Sequence, residues 1–137
     1  MRILIVDTNS DQLGLLERTV TFLGFNADLA KDGTEAIQRH IQQRHDLILL
    51  SLDLVDYDGY STAQAIRQLE RTDSGYPPSL ICGLTQVCDG GIRSHCMQSG
   101  MDTCMTKPTT SRDAIDMLVA LRMDSGRRRR KKAALHK

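Results

Sequence analysis

The groups able to do chemistry in this 137-residue chain are few and widely spaced. Asp7 and Thr8 follow the apolar run 2–6. Ser51, Leu52 and Asp53 follow the run 47–50. Thr85 follows 79–84, and Lys107 follows 103–105. Asp7 and Lys107 have the charges of an ion pair. Ser51 offers an alcohol, which is a poor nucleophile without a neighbouring base. The four cysteines (Cys82, Cys88, Cys96 and Cys104) show no CxxC spacing and no clustered histidine, which argues for free thiols rather than zinc or a disulfide framework. Cys82 and Cys104 fall in strand-like runs and read as small core hydrophobes. Cys88 falls in a loop, where redox sensing is the sharper reading.

The elements that must position these groups alternate. Arg2–Val6 reads as a buried parallel strand. Asn9 or Ser10 can cap a helix carrying Leu13, Leu16, Val20 and Leu23, with Gly24 as its C′ residue. A short strand at Asn26–Ala30 follows, then a helix capped by Thr34 with Ala36, Ile37 and Ile41. Leu47–Leu50 is the most strand-like run and the expected central strand. A third helix covers Ser61–Arg71, with Ala63, Ile66 and Leu69 or Glu70 on its face. After Pro77 and Pro78 come a strand at Ser79–Leu84, a helix near Ile92–Ser99, a strand at Thr103–Met105 and a helix capped by Ser111. The last helix is apolar at Ala114, Ile115, Leu118 and Leu121. Five strand–helix repeats predict a doubly wound α/β fold with a parallel sheet covered on both faces. Ligands of such sheets bind beyond the carboxyl ends of the strands. That topology alone gathers Asp7, Thr8, Ser51 to Asp53, Thr85 and Lys107. Asp56 and Asp58 read as a solvated loop.

Composition narrows the classes. Two Phe, three Tyr and no Trp leave an aliphatic core and few stacking platforms for single-stranded nucleic acid. Seven of the 18 basic residues follow Gly126, and no acid follows Asp124, so residues 1–126 carry 11 basic against 17 acidic groups, a balance of −6. The expected organisation is one domain over residues 1–123 and a basic, disordered tail over 124–137. Arg127, Arg128, Arg129, Arg130, Lys131 and Lys132 make that tail a candidate anion-binding or nucleic-acid segment, with an inert tail as the plainer alternative. No run of about 18 apolar residues is present, so no membrane span is expected. The N-terminus is too short in apolar residues for a signal peptide, which points to the cytoplasm.

The same residues resemble the receiver domain of two-component response regulators. Ile3-Leu4-Ile5-Val6-Asp7 is similar to that family's first-strand motif, which normally ends in two acids. Asp46-Leu47-Ile48-Leu49-Leu50-Ser51 resembles the third-strand motif, which normally ends in the phosphoacceptor Asp. Asp58-Gly59-Tyr60, Leu84-Thr85, Gly100-Met101-Asp102 and Thr106-Lys107-Pro108 resemble the remaining signatures, in order, over residues 2–122. The resemblance implies a five-stranded flavodoxin-like sheet of order 2-1-3-4-5. It further implies an Asp phosphorylated by a histidine kinase, magnesium on the first-strand acids, and a Lys and a Thr that grip the phosphoryl group.

Three positions depart from that pattern. Ser51 stands where the acceptor Asp belongs, Thr8 where the second acid belongs, and Cys104 where the family has a switching Tyr or Phe. The expectation is therefore a degenerate receiver, not an enzyme, with weak or absent magnesium binding at Asp7. It would be a phosphorylation-independent module docking a histidine kinase or output protein through residues 91–122. Two alternatives stand beside this. Asp53 would lie on Ser51's side of an extended chain, about 6–7 Å further along, and could accept a phosphoryl group instead. The tail could make the chain a nucleic-acid-associated regulator.

Overall fold

The computed structural model describes residues 1–54, 56–73 and 75–122; the basic tail expected over 124–137 lies outside them. Five parallel strands pair in the order β2-β1-β3-β4-β5: β1 Arg2–Val6, β2 Asn26–Ala30, β3 Leu47–Ser51, β4 Leu80–Thr85 and β5 Thr103–Thr106. Helices α1 Ser10–Phe22, α2 Gly33–Gln42, α3 Gly59–Thr72 and α4 Gly90–Gln98 join them, and a fifth helix, α5, occupies residues 111–122. Period-two alternation sorts the core into two layers. Ile3, Ile5, Leu47, Leu49, Leu80, Cys82 and Leu84 pack against Leu13, Leu16 and Val20 of α1 and Ala114, Met117, Leu118 and Leu121 of α5. Leu4, Val6, Ile48, Leu50 and Ile81 pack against Ala36, Ala63, Ile66 and Cys96 of α2, α3 and α4. Every residue of β3 is buried, as a strand covered on both faces must be.

The helix boundaries differ from the sequence expectation where caps decide them. Asp32, not Thr34, caps α2, because its carboxylate accepts the Glu35 N–H at 2.8 Å. Thr110, not Ser111, caps α5, its Oγ accepting the Asp113 N–H at 3.1 Å. Helix α3 starts two residues early, at Gly59, since Asp58 accepts from Ser61 N at 2.7 Å. Ile41 is 62% exposed. The buried stripe of α2 runs instead through Gly33, Ala36 and His40. On α5 the stripe takes Met117 in place of Ile115, completing the 114, 117, 118, 121 spacing.

The amino edge of the sheet is held by a buried polar chain. His45 Nε2 lies 2.8 Å from Asp28 Oδ2, the two histidine Nδ1 atoms lie 3.0 Å apart, and His40 Nε2 lies 3.1 Å from Glu70 Oε2. Each Nε2 faces a carboxylate and so donates to it. Arg2 sits 3.3 Å from Asp28, and Arg44 sits 3.5 Å from Glu70. Ser79 donates its N–H to Glu70 at 3.0 Å and its hydroxyl to the His45 carbonyl. Arg67 closes the chain, bonding Glu70 at 2.6 Å and Asp102, the Gly100 carbonyl and the Ser79 carbonyl each at 2.8 Å.

Candidate functional site

Strand order reverses between β1 and β3, so the crevice at their carboxyl ends is the place for a ligand. Val6 pairs with Leu50, which carries Asp7 and Ser51 to neighbouring positions at that edge. Ser51 pairs with Leu84, and Thr85 with Thr106, bringing Thr85 and Lys107 alongside. The Lys107 N–H bonds the Thr85 carbonyl at 2.8 Å, fixing the lysine just past β5. Asp7, Ser51, Thr85 and Lys107 therefore line one edge, reached from four strands.

One ion pair and bonds to neighbouring backbone engage these side chains. Asp7 is buried; its Oδ1 accepts the Asn9 N–H at 3.0 Å, and its Oδ2 faces Lys107 Nζ at 3.0 Å. Both side chains are mostly shielded from water, where such a pair is screened little. Ser51 is fully buried, and its Oγ lies 3.3 Å from the Asp53 nitrogen and 3.5 Å from the Asp53 carbonyl. Thr85 is buried. Thr8 is exposed, and its hydroxyl bonds the Lys31 carbonyl at 3.2 Å. The chain bends at Leu52, immediately after β3, so the extended path that would align Asp53 with Ser51 is not followed; Asp53 itself is exposed. Among the described residues, no group of three or more His, Cys, Asp or Glu side chains could hold a metal ion.

The loop between β3 and α3 does more than sit in solvent. Asp56 accepts from the Gly33 N–H at 2.8 Å, the Thr34 N–H at 2.9 Å and the Thr34 hydroxyl at 2.6 Å. These bonds, the Thr34 hydroxyl first, hold its carboxyl well below the usual range. It thus ties the start of α2 to the rim of the crevice, while Asp58 caps α3. Gly59 packs on the end of β3: a Cβ there would lie 2.5 Å from the Ser51 carbonyl oxygen and 2.8 Å from Leu52 Cα.

Cys104 is buried in β5, as expected for a small core residue, and Cys82 and Cys96 are buried too. Cys88 is half-buried rather than free in its loop, with its Sγ 3.0 Å from Cys104 Sγ. Residues 91–122 comprise α4, β5 and α5, and Met97 and Val119 are exposed large apolar side chains on that stretch. No described helix is long and apolar enough to cross a membrane.

Residues 3–119 match the family model described as the response regulator receiver domain. Over 130 residues the chain is 32% identical to the sensor histidine kinase RcsC of Salmonella typhi, covering 95% of this chain and 13% of that protein. Over 120 residues it is 31% identical to the transcriptional regulatory protein PrrA of Mycobacterium leprae, covering 88% of this chain and 49% of PrrA. The chain thus spans half or less of the length of these relatives. Among solved structures, the co-crystal of the Saccharomyces cerevisiae histidine phosphotransfer protein Ypd1 with the receiver domain of the response regulator Ssk1 superposes with a TM-score of 0.76 at 25% identity, over 80% of each chain.

Proposed function

This chain belongs to the response regulator receiver domain family, and from that premise we propose that it is a receiver-type signalling module that docks on a protein partner without being phosphorylated. The observation that carries the reading is the state of Ser51. At the position where the family's acceptor carboxylate would stand, the chain has a fully buried hydroxyl engaged with the backbone of Asp53. Among the described residues no side-chain base hydrogen-bonds it, and an unactivated alcohol is a poor nucleophile.

The donor set does not fit the magnesium ion that the family implies. Among the described residues of the crevice Asp7 is the one buried carboxylate, and Lys107 already neutralises one of its oxygens at 3.0 Å. The Thr8 hydroxyl is spent on the Lys31 carbonyl. A hard dication wants several anionic oxygens, so we derive no step through it. Ssk1 is a receiver seated on a histidine phosphotransfer protein, and RcsC is a sensor kinase that contains a region like this chain. These support a kinase or phosphotransfer partner; on the proposed reading that partner, or an output protein, is met through α4, β5 and α5 at residues 91–122.

The test is to incubate the full chain with acetyl phosphate and magnesium and weigh it intact. No phosphoryl adduct is expected, while partner capture by the untreated chain is. An adduct mapping to Asp53 would replace this reading with that of an atypical acceptor.

A further inference from the structure

Three of the four thiols gather on one side of the sheet, in the layer under α4. Cys88 lies in the loop between β4 and α4, Cys96 in α4 and Cys104 in β5. The Cys88 Sγ is 3.0 Å from Cys104 Sγ and 3.4 Å from the Cys104 carbonyl oxygen. A disulfide needs about 2.05 Å between sulfurs, so the pair is roughly 1 Å from bonding length. The two residues are 16 apart in sequence and on different elements, so helix or strand geometry alone does not bring them together.

We propose that Cys88 and Cys104 form a reversible disulfide site that hydrogen peroxide oxidises, tethering the β4–α4 loop to β5. Exposure sets the order of events. Cys104 is 1% exposed and Cys96 is fully buried, whereas Cys88 is half-buried and is the thiol an oxidant reaches first. In the first step the Cys88 sulfur attacks one peroxide oxygen. The O–O bond breaks, Cys88 becomes a sulfenic acid, and the other oxygen leaves as water after taking the Cys88 proton. In the second step the Cys104 sulfur attacks the Cys88 sulfur. The S–S bond forms, the S–O bond breaks, and the hydroxyl leaves as water with the Cys104 proton. Two thiols lose two electrons in all, and one hydrogen peroxide is reduced to two waters. Dithiol reagents reverse the bond by exchange.

This inference does not depend on the docking reading, since its readout is chemical. The reduced full chain is treated with one equivalent of hydrogen peroxide, its remaining thiols are alkylated, and its intact mass is measured with and without dithiothreitol. Wild type should retain two alkylatable thiols instead of four and recover all four on reduction. A Cys82→Ser, Cys96→Ser double variant should still form an intramolecular bond at the wild-type rate. Cys88→Ser, at a half-buried position where folding is least disturbed and checked by circular dichroism, should form none. Retention of four thiols, a bond that needs Cys82 or Cys96, or a bond that survives Cys88→Ser would each overturn the proposal.

Discussion

Replacing Glu70 with Gln is the sharpest probe of the amino-edge network. Both carboxylate oxygens of Glu70 are engaged. Oε2 receives His40 Nε2 at 3.1 Å and the Ser79 N–H at 3.0 Å, and Oε1 receives Arg67 at 2.6 Å. Burial alone would raise its pKa. The His40, Ser79 and Arg67 bonds and the Arg67 charge outweigh that and bring it from 4.5 to about 2. The side chain is only 4% exposed, so the shift needs little discount for solvent screening. A depression of about 2.5 units corresponds to roughly 3 kcal/mol of stabilisation by the ionised form at neutral pH. Gln stands in for the protonated acid and must also aim its NH2 at a donor. Glu70→Gln should therefore lower the unfolding free energy by about 3 kcal/mol at pH 7, within the range for breaking a buried pair.

The pH dependence fixes the sign. Because the folded-state pKa is depressed, the stabilisation is complete above the unfolded value of 4.5 and drains away as pH falls towards 2. At pH 3 the gap between wild type and variant should narrow to about 1.4 kcal/mol. His45 steepens the same acid limb in both proteins. Burial first, then the His40 charge, hold its pKa below 6.5 against the Asp28 hydrogen bond, so stability also falls as pH drops below 6.5. Urea unfolding followed by far-UV circular dichroism at pH 7 and pH 3 reads both gaps. A variant less than about 1 kcal/mol weaker at pH 7, or an equal gap at both pH values, would refute the assignment of Glu70 as the ionised centre of the network.

Three further outcomes follow from other contacts. Gly59→Ala should cost about 1–3 kcal/mol in urea unfolding, because the new methyl meets the backbone of Ser51 and Leu52 and neither can step aside. Arg67→Lys should cost about 3 kcal/mol, since a single ammonium cannot serve Glu70, Asp102, Gly100 and Ser79 together; thermal unfolding that matched wild type would contradict the network. Magnesium should bind wild type only in the millimolar range or weaker by calorimetric titration, and Thr8→Asp with Ser51→Asp should tighten it measurably; tight binding to wild type would mean that the donor set has been misjudged.

What could be read from the sequence divides along physical lines. The strand runs and the helix stripes are local periodicities, so a parallel sheet covered on both faces followed from them, whereas the strand order 2-1-3-4-5 came from the family resemblance. The crevice residues were legible too, because a parallel sheet fixes where strand ends meet, and Asp7, Ser51, Thr85 and Lys107 each end a run. The caps were only half legible: Thr34 and Asp32 are both good cap residues, and the choice rests on Asp56, which engages Thr34 from 22 residues away. The histidine chain left no signal at all. His40 and His45 are five apart, and their carboxylates come from β2 and α3, so their contact exists only after three crossovers have been folded. Cys88 and Cys104 are the same case, two unremarkable thiols until β4 and β5 lie side by side.

The contrast between the two edges bears on how such a domain would signal. An input shifts an equilibrium only as far as its interactions differ between the two states. At the carboxyl edge Lys107 is already paired with Asp7 and the Ser51 hydroxyl with Asp53, and on the proposed reading a phosphodonor draws in neither. At the amino edge Arg67 ties α3 to the Gly100 carbonyl and to Asp102, and Asp102 in turn accepts the Ile81 N–H at 2.8 Å. Those bonds fix the turn between α4 and β5 from below. Met101 and Cys96 fix it from inside, so closely that a Cβ on Gly83 would lie 2.7 Å from the Met101 sulfur. On the proposed reading, the α4–β5–α5 face is thus set by packing and buried ion pairs rather than by occupancy of the crevice. Its partner would meet one standing conformation, whose remaining adjustable element is the loop that carries Cys88.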